Sequence, residues 1–222
     1  MSKCRLFFQL SVILLLLTAC EQDVYDRGDS TYSYLRADFV EAYSNANSCV
    51  SYAVRDDDQR LTLKAPYTAK WLKPDTTYRA VLYYNMVGTE AEAVNVSPIS
   101  TVSIRHHSLI KDTVKTDPVG FESAWLGANG KYLNFCFIVK LGVVDSVKHK
   151  QQLGIIGDTV TTADNGLRTY QLRLYHNQGD VPEYYSQRVY FSLPVDTLKV
   201  DSLQLSINTY KGIVSKGFRL KR

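Results

Sequence analysis

Apolar and polar residues alternate with a period of two along most of the chain from Tyr32 onward. The alternating segments are rich in Tyr, Val, Ile and Thr, and clusters of turn-forming residues separate them, which is typical of antiparallel β-strands. No segment keeps a 3.6-residue apolar period over three turns, so the pattern predicts an all-β protein. The predicted strands span 32–44, 48–55, 60–64, 77–87, 91–97, 99–107, 121–127, 131–141, 151–157, 167–177, 186–193, 202–210 and 213–220.

A polar stretch that ends in proline, residues 111–118, interrupts this rhythm and predicts a domain boundary. The six strands before it predict a small barrel or sandwich over residues 32–110. The seven strands after it predict an immunoglobulin-like β-sandwich over residues 119–222. In that second half, Asn129-Gly130 between two strands indicates a tight hairpin.

The first twenty residues have a different pattern. Lys3 and Arg5 precede an apolar run, residues 6–17, and Thr-Ala-Cys follows it. The run is shorter than the roughly 20 apolar residues that a membrane-spanning helix needs. Small residues before a cysteine are typical of a cleaved lipoprotein signal, so residues 1–19 are predicted to be a signal peptide.

Cleavage there would leave Cys20 as the lipid-modified N-terminus of the mature chain. A single acyl chain binds a membrane only weakly, so stable anchoring needs more than one chain. Residues 20–31 are polar, acidic and without periodicity, which predicts a flexible tether. We therefore expect a protein of the cell envelope, lipid-anchored in the outer membrane and facing either the periplasm or the cell surface.

Charge and cysteine content exclude some partners. The net charge of +4 falls to +2 when Lys3 and Arg5 leave with the signal peptide, and the mature chain has no basic block, so nucleic acid is excluded as a partner. The two cysteines left besides Cys20 are Cys49 and Cys136, each inside an apolar strand and on opposite sides of the polar stretch. We predict that both are buried free thiols.

The sequence contains none of the common catalytic motifs. It has no nucleophile elbow, zinc-binding helix motif, phosphate loop or closely spaced cysteine pair. The run Asp56-Asp57-Asp58 lacks the spacing and glycine of a calcium loop and is predicted to be a hairpin turn. We therefore predict no catalytic residue, no metal and no cofactor. A hydrolase that uses His176 and Asp180, on either side of a glycine turn, is the enzymatic alternative.

Aromatic residues are the one compositional excess. Sixteen tyrosines are many for 222 residues, and they crowd the first half of the chain. Tyrosine favours strands, which accounts for part of this excess. Exposed aromatic rings can also stack on a sugar or hold a partner loop. Trp71, Tyr83 and Tyr84 are the predicted ligand-binding residues, for a protein or glycan ligand.

Several motifs of the second half resemble the NigD-like lipoproteins of Bacteroidetes in order and spacing. They are Trp125, Tyr132-Leu133-Asn134-Phe135, Leu172-Arg173-Leu174-Tyr175-His176-Asn177 and Gly179-Asp180. The resemblance covers nearly the whole chain, and it implies an N-terminal domain similar to an OB-fold barrel followed by a sandwich. The family's name comes from a bacteriocin gene cluster, so the resemblance also implies a role in immunity. It implies no catalytic residues.

Together these observations predict a non-catalytic recognition or accessory module of the envelope, with bacteriocin immunity as its specific form. The alternative in another class is a structural fimbrial-type subunit assembled by strand exchange, with a protease site at Arg27 or Arg36.

Overall fold

The computed structural model describes residues 34–143 and 150–221. The predicted signal peptide, the tether and Cys20 lie outside these residues. In the first half, five strands form a closed barrel in the order β1-β2-β3-β5-β4. They are β1 (Arg36–Ser44), β2 (Cys49–Arg55), β3 (Arg60–Thr68), β4 (Thr77–Val87) and β5 (Glu90–Pro98). The sequence-based expectation of an N-terminal OB-like barrel is confirmed.

Alternate residues of the barrel strands point inward and form its hydrophobic core. On β4 these are Ala80, Leu82 and Tyr84, all fully buried. Burial of each large apolar side chain stabilises the fold by about 1.5–3 kcal/mol. Leu72, from the loop between β3 and β4, joins this core, and the neighbouring Trp71 packs against it.

The second half is a sandwich of two sheets, as predicted. One sheet has the order β14-β13-β11-β10-β7 and the other has the order β6-β12-β9-β8. The strands are β6 (Ser100–Thr101), β7 (Ile104–His106), β8 (Gly120–Leu126), β9 (Tyr132–Leu141), β10 (Gln152–Thr162), β11 (Arg168–Asn177), β12 (Tyr185–Pro194), β13 (Ser202–Thr209) and β14 (Gly212–Arg219). Between the sheets lies an apolar core that includes Phe135, Phe137 and Phe191.

The predicted strand at 99–107 differs from the structure. It is two short strands, β6 and β7, and both pair with strands of the sandwich rather than of the barrel. Val102 and Ile104 pack against the sandwich core, so burial of their side chains accounts for this placement. The strand pattern predicts an extended segment but does not indicate which sheet it joins.

The sandwich also contains parallel pairs, where the sequence suggested antiparallel pairing alone. β11 runs parallel to β13, and β10 runs parallel to β7. The strand between β11 and β13 belongs to the other sheet, so the chain returns to the first sheet in the same direction. A parallel pair needs such a long connection.

Two predicted turns are present. Asn129-Gly130 lies in the hairpin between β8 and β9, where Gly130 has a φ of +75°, a region that glycine adopts without steric cost. The three aspartates at 56–58 form the turn between β2 and β3. Cys49 and Cys136 are both free thiols. Cys136 is buried as predicted, but Cys49 is half-exposed because it begins β2 at the edge of a turn.

The barrel and the sandwich belong to one compact unit, Arg36–Arg222. β9 shows why: its first six residues are all buried, so both of its faces are covered. One face contacts the sandwich core and the other contacts the barrel. Within residues 34–143 and 150–221, no helix is long and apolar enough to span a membrane.

Candidate recognition cleft

The outer face of β4 lies against the sandwich. Successive strand residues point to opposite faces, so Arg79, Val81 and Tyr83 point out of the barrel while Ala80 and Leu82 point into it. Arg79 and Val81 are buried, and Tyr83 is half-buried. The opposing surface is the outer face of the sheet β6-β12-β9-β8.

Arg79 is the centre of a buried polar network, which we call the polar joint: Asp56, Arg79, Asn134 and Ser192. Its Nη1 and Nη2 donate to the two carboxylate oxygens of Asp56, each at 2.7 Å. Nη2 also donates to Oδ1 of Asn134 at 2.8 Å, and Nε donates to Oγ of Ser192 at 3.1 Å. A two-pronged arginine–carboxylate pair fixes geometry as well as charge.

The sandwich residues of the polar joint also bind each other. Ser192 Oγ donates to Asn134 Oδ1 at 2.7 Å, and Asn134 Nδ2 donates to Asp56 Oδ2 at 2.7 Å. The Arg79 guanidinium lies 4.1 Å from the centre of the Tyr132 ring, a favourable cation–π distance. Every charge of the joint is therefore matched, and the barrel is fixed on the sandwich.

Glu41 forms a second polar contact across the junction. Its carboxylate accepts hydrogen bonds from Tyr132 Oη at 2.7 Å, from Lys131 Nζ at 2.5 Å and from Tyr43 Oη at 2.9 Å. Burial alone would raise the pKa of Glu41, but these donors outweigh it and hold that pKa below its ordinary value. Burial and the neighbouring Glu41 raise the pKa of Tyr43 to about 12.

Beyond the polar joint, the same two faces diverge and leave a cleft of about 600 Å³. Its aromatic lining residues are Tyr83 from β4 and Tyr190 and Phe191 from β12. Other lining residues come from the connection between barrel and sandwich and from β10; they include Pro98, Ile99, Val102 and Leu153. The backbone N–H of Ile99 donates to the carbonyl of Arg79 at 2.9 Å, so one wall of the cleft is held directly by the residue that anchors the joint.

The rim of the cleft is polar. Arg188 donates to Glu122 Oε2 at 2.5 Å, and this pairing lowers the pKa of Glu122. Cys136 lies opposite Tyr190 on the neighbouring strand β9. Burial, with Glu122 beside it, raises the pKa of the Cys136 thiol to about 11, so the group remains a neutral thiol at neutral pH. A cleft that combines aromatic and apolar side chains with polar groups is suited to binding.

Of the predicted ligand residues, Tyr83 lies in this cleft, and Tyr84 does not. The prediction for Tyr84 was wrong: its ring is fully buried in the barrel core, and its hydroxyl donates to Asp38 at 2.7 Å. Strand alternation puts adjacent tyrosines on opposite faces, so a single β-strand cannot expose both.

Trp71 is far from Tyr83. Its ring is half-buried, packs against the barrel core and meets Tyr78 edge to face, with 5.0 Å between ring centres. Tyr78 precedes Tyr83 by five residues on the same strand, a separation of about 16 Å. Trp71 therefore covers the other end of the barrel, and the structure does not bring the predicted aromatic residues together in one site.

His176, the candidate base of the hydrolase alternative, is fully buried. Its Nδ1 lies 2.9 Å from the carbonyl oxygen of Asp117, and its Nε2 lies 3.0 Å from Nε2 of Gln151. Both ring nitrogens are therefore occupied by hydrogen-bond partners. In the described part of the chain, no three His, Cys, Asp or Glu residues are grouped so as to hold a metal ion.

Sequence reasoning missed Arg79, Asn134, Tyr190 and Ser192. The sequence of two strands, β4 and β9, did carry a signal: their central residues do not alternate regularly between apolar and polar. Strands covered on both faces read as nearly continuous apolar runs. Arg79 and Asn134, the polar residues inside those runs, form the joint together with Asp56 from a turn and Ser192 from β12.

The comparisons with known proteins agree with this architecture. The family model described as the NigD-like C-terminal beta sandwich domain matches residues 98–219. It begins at Pro98, the last residue of β5, just before the chain enters the sandwich at β6. Among curated proteins, none matches the chain.

Solved structures share the fold over most of the chain. A NigD-like immunity protein from Bacteroides caccae is 20% identical with a TM-score of 0.63, over 83% of this chain and 96% of that one. A protein described as toxin related from Parabacteroides distasonis is 19% identical with a TM-score of 0.62, over 84% and 93% of the two chains. One described as a lipoprotein, from Bacteroides fragilis, is 13% identical with a TM-score of 0.57, over 84% and 97%.

Proposed function

Because the chain belongs to the NigD-like family, we propose that it is a lipid-anchored, non-catalytic recognition protein of the cell envelope that binds its ligand in the cleft. The observation that carries this proposal is the cleft itself, where two tyrosines from different β-sheets line one space beside the hydrogen-bonded polar joint. Residues held in place before binding lose little conformational entropy when a ligand arrives.

The side chains around the cleft support binding rather than catalysis. The Cys136 thiol has a raised pKa, and a protonated thiol is a poor nucleophile. His176 is buried with both ring nitrogens engaged, so it has no route to a substrate proton. Neither residue provides the nucleophile and base that a hydrolase requires.

The anchoring part of the proposal is based on Cys20. The apolar run before it and the small residues at 18 and 19 suit a lipoprotein peptidase, and a structurally similar Bacteroides fragilis protein is described as a lipoprotein. We expect an outer-membrane location. Replacing Cys20 by serine should abolish incorporation of labelled palmitate and release the protein from the membrane fraction.

Immunity is the specific form of the proposal. A structurally similar protein from Bacteroides caccae is a NigD-like immunity protein. In this form, the ligand is a bacteriocin that the anchored protein binds before it harms the producing cell. Cells that express the chain should then survive bacteriocin preparations from related bacteria that kill cells without it.

The direct test is a binding measurement with the purified mature chain on a protein and glycan array. Tyr83→Ala should weaken binding of any ligand found by about thirtyfold, because an aromatic anchor in a binding site typically contributes 2 kcal/mol or more. Tyr184→Ala is the matched control, since Tyr184 is exposed and does not line the cleft. Equal affinity of both variants, with unchanged melting temperatures, would contradict the proposal.

A further inference from the structure

A groove continues from the cleft along the edge of the sandwich. It has a volume of about 910 Å³ and runs between the start of β10 and the segment 109–113. Val102 and Leu153 line both the groove and the cleft. The two depressions are therefore one continuous surface.

The floor of this groove is the edge of a strand. β10 pairs with β11 on one side, and on the other side β7 pairs with residues 155–157 alone. Among the described residues, no strand pairs with 152–154 on that side, because the chain before β7 crosses to the other sheet and pairs there through β6. Backbone N–H and C=O groups on such an edge are available to a further strand.

We propose that the ligand is an extended polypeptide segment that adds to β10 beside residues 152–154, in line with β7, and places a side chain in the cleft beside Tyr83. This inference rests on the proposed function and names the ligand's class. Strand addition supplies main-chain hydrogen bonds, while a neighbouring pocket reads a side chain. A sugar would occupy the cleft but leave the strand edge without partners.

Gly154 leaves room for that backbone. A Cβ built on it would meet only the edge of the Tyr175 ring, at 4.0 Å. A glycine within a strand often marks a place where another backbone approaches closely.

Charge indicates what the peptide carries. Of the titratable side chains that line the groove, Arg105 and Lys111 are basic and Asp112 is acidic, with Tyr175 as the fourth. The charge at the rim is therefore net positive. An acidic residue in the peptide would complement it, and charge complementarity at a rim mainly sets association rate and specificity.

The opposite edge of the same sheet provides an internal control. β14 is that edge, and it carries Lys216 along an exposed surface. A lysine on an edge strand is a common device against further pairing. We expect the peptide to choose β10 and leave β14 unoccupied.

The experiment selects phage-displayed random nonapeptides on the purified mature chain and synthesises the best binders. We expect acidic, strand-forming peptides that slow amide hydrogen exchange at 152–154 and not at 213–219. N-methylation of alternate peptide amides should weaken binding about tenfold or more, since it removes main-chain hydrogen bonds. Arg105→Glu with Lys111→Glu should weaken it about fivefold, and Lys216→Glu should not change it.

Other outcomes would overturn the inference in distinguishable ways. If N-methylated peptides bind equally well and protection is confined to β4 and β12, side chains in the cleft alone recognise the ligand, and the proposed function stands. If no peptide is selected while the array yields a glycan that Tyr83→Ala fails to bind, the ligand class is wrong. Slower amide exchange in β14 instead of β10 would mean that the peptide adds to the other edge of the sheet. Melting temperatures confirm that each variant is folded.

Discussion

The polar joint and the recognition cleft share two strands, β4 and β12, yet they differ in chemistry. Along the outer face of β4, Arg79 is buried and fully paired, and four residues later Tyr83 is half-buried in an open cleft. β12 makes the same change from Ser192 to Tyr190. The difference shows that two strands from different sheets, β4 and β12, can both hold the barrel on the sandwich and line a cleft.

The energetic consequences of the two regions should therefore be separable. Removing one partner of a buried ion pair leaves an uncompensated charge and typically costs about 3–5 kcal/mol. Removing an aromatic ring from an open cleft costs mainly the contacts it makes with a ligand. Variants of the joint should lower stability, and variants of the cleft should lower affinity.

The largest expected effect is that of Arg79→Ala. It leaves Asp56 without its cation and should lower the free energy of unfolding by about 3–5 kcal/mol, seen as a lower melting temperature. Arg79→Lys keeps the charge but not the two-pronged geometry, so its free energy of unfolding should lie between those of the wild type and Arg79→Ala. The matched control is Arg173→Ala, because Arg173 pairs with Asp158 at a partly exposed site and should cost about 1 kcal/mol or less. Equal losses for the two alanine variants would mean that the joint does not fix the barrel.

The next prediction concerns where the sandwich begins. We propose that the fragment 98–222 folds alone, with a β-type circular dichroism spectrum and a cooperative melt. A cut near Thr116 removes Val102 and Ile104 from the sandwich core, and it should lower stability by about 2–4 kcal/mol. Identical melting curves of the fragments 98–222 and 117–222 would contradict this prediction. If neither fragment melts cooperatively, the sandwich depends on the barrel through the joint.

Much of this fold could be predicted from the sequence, because strand formation depends on local alternation. β4 begins and ends where the pattern indicated, and the hairpin predicted from Asn129-Gly130 is present, with Gly130 at a positive φ. What alternation cannot show is which surface covers the second face of a strand. Nothing in the local pattern identifies Arg79 or Asn134 as residues of the joint, because the residues they bind are 23 to 113 positions away in the sequence. For the same reason Tyr83 and Tyr84 looked equivalent, although only one of them faces the sandwich.

A smaller effect should follow from acidification. The pKa of Glu41 in the folded protein lies below its ordinary value of 4.5. The unfolded chain therefore takes up the proton first, and the stability that Glu41 contributes is present above about pH 4.5 and is lost as the pH falls through the folded pKa. Glu41→Gln should lower stability at pH 7 by about 1 kcal/mol and flatten the acid limb of melting temperature against pH.

Glu92→Gln is the control for that measurement, since the Lys64–Glu92 pair is exposed and should contribute little. If Glu41→Gln leaves the acid limb as steep as before, the contact between Glu41 and Tyr132 does not hold the junction together.

The smallest effect is one of reactivity. Cys49 is half-exposed, while Cys136 is buried under the cleft with its pKa raised to about 11. Iodoacetamide at pH 8 should therefore label Cys49 in the native protein and Cys136 only after unfolding, because the thiolate is the reactive form.

In Arg79→Ala, loosening of the joint should expose Cys136 and speed its labelling, whereas Tyr83→Ala, which leaves the joint intact, should change that rate less. Mass spectrometry of the unfolded, non-reduced protein should find both Cys49 and Cys136 alkylated. A mass that matches a bridge between Cys49 and Cys136, or rapid labelling of Cys136 in the native protein, would contradict both the free thiols and the closed junction.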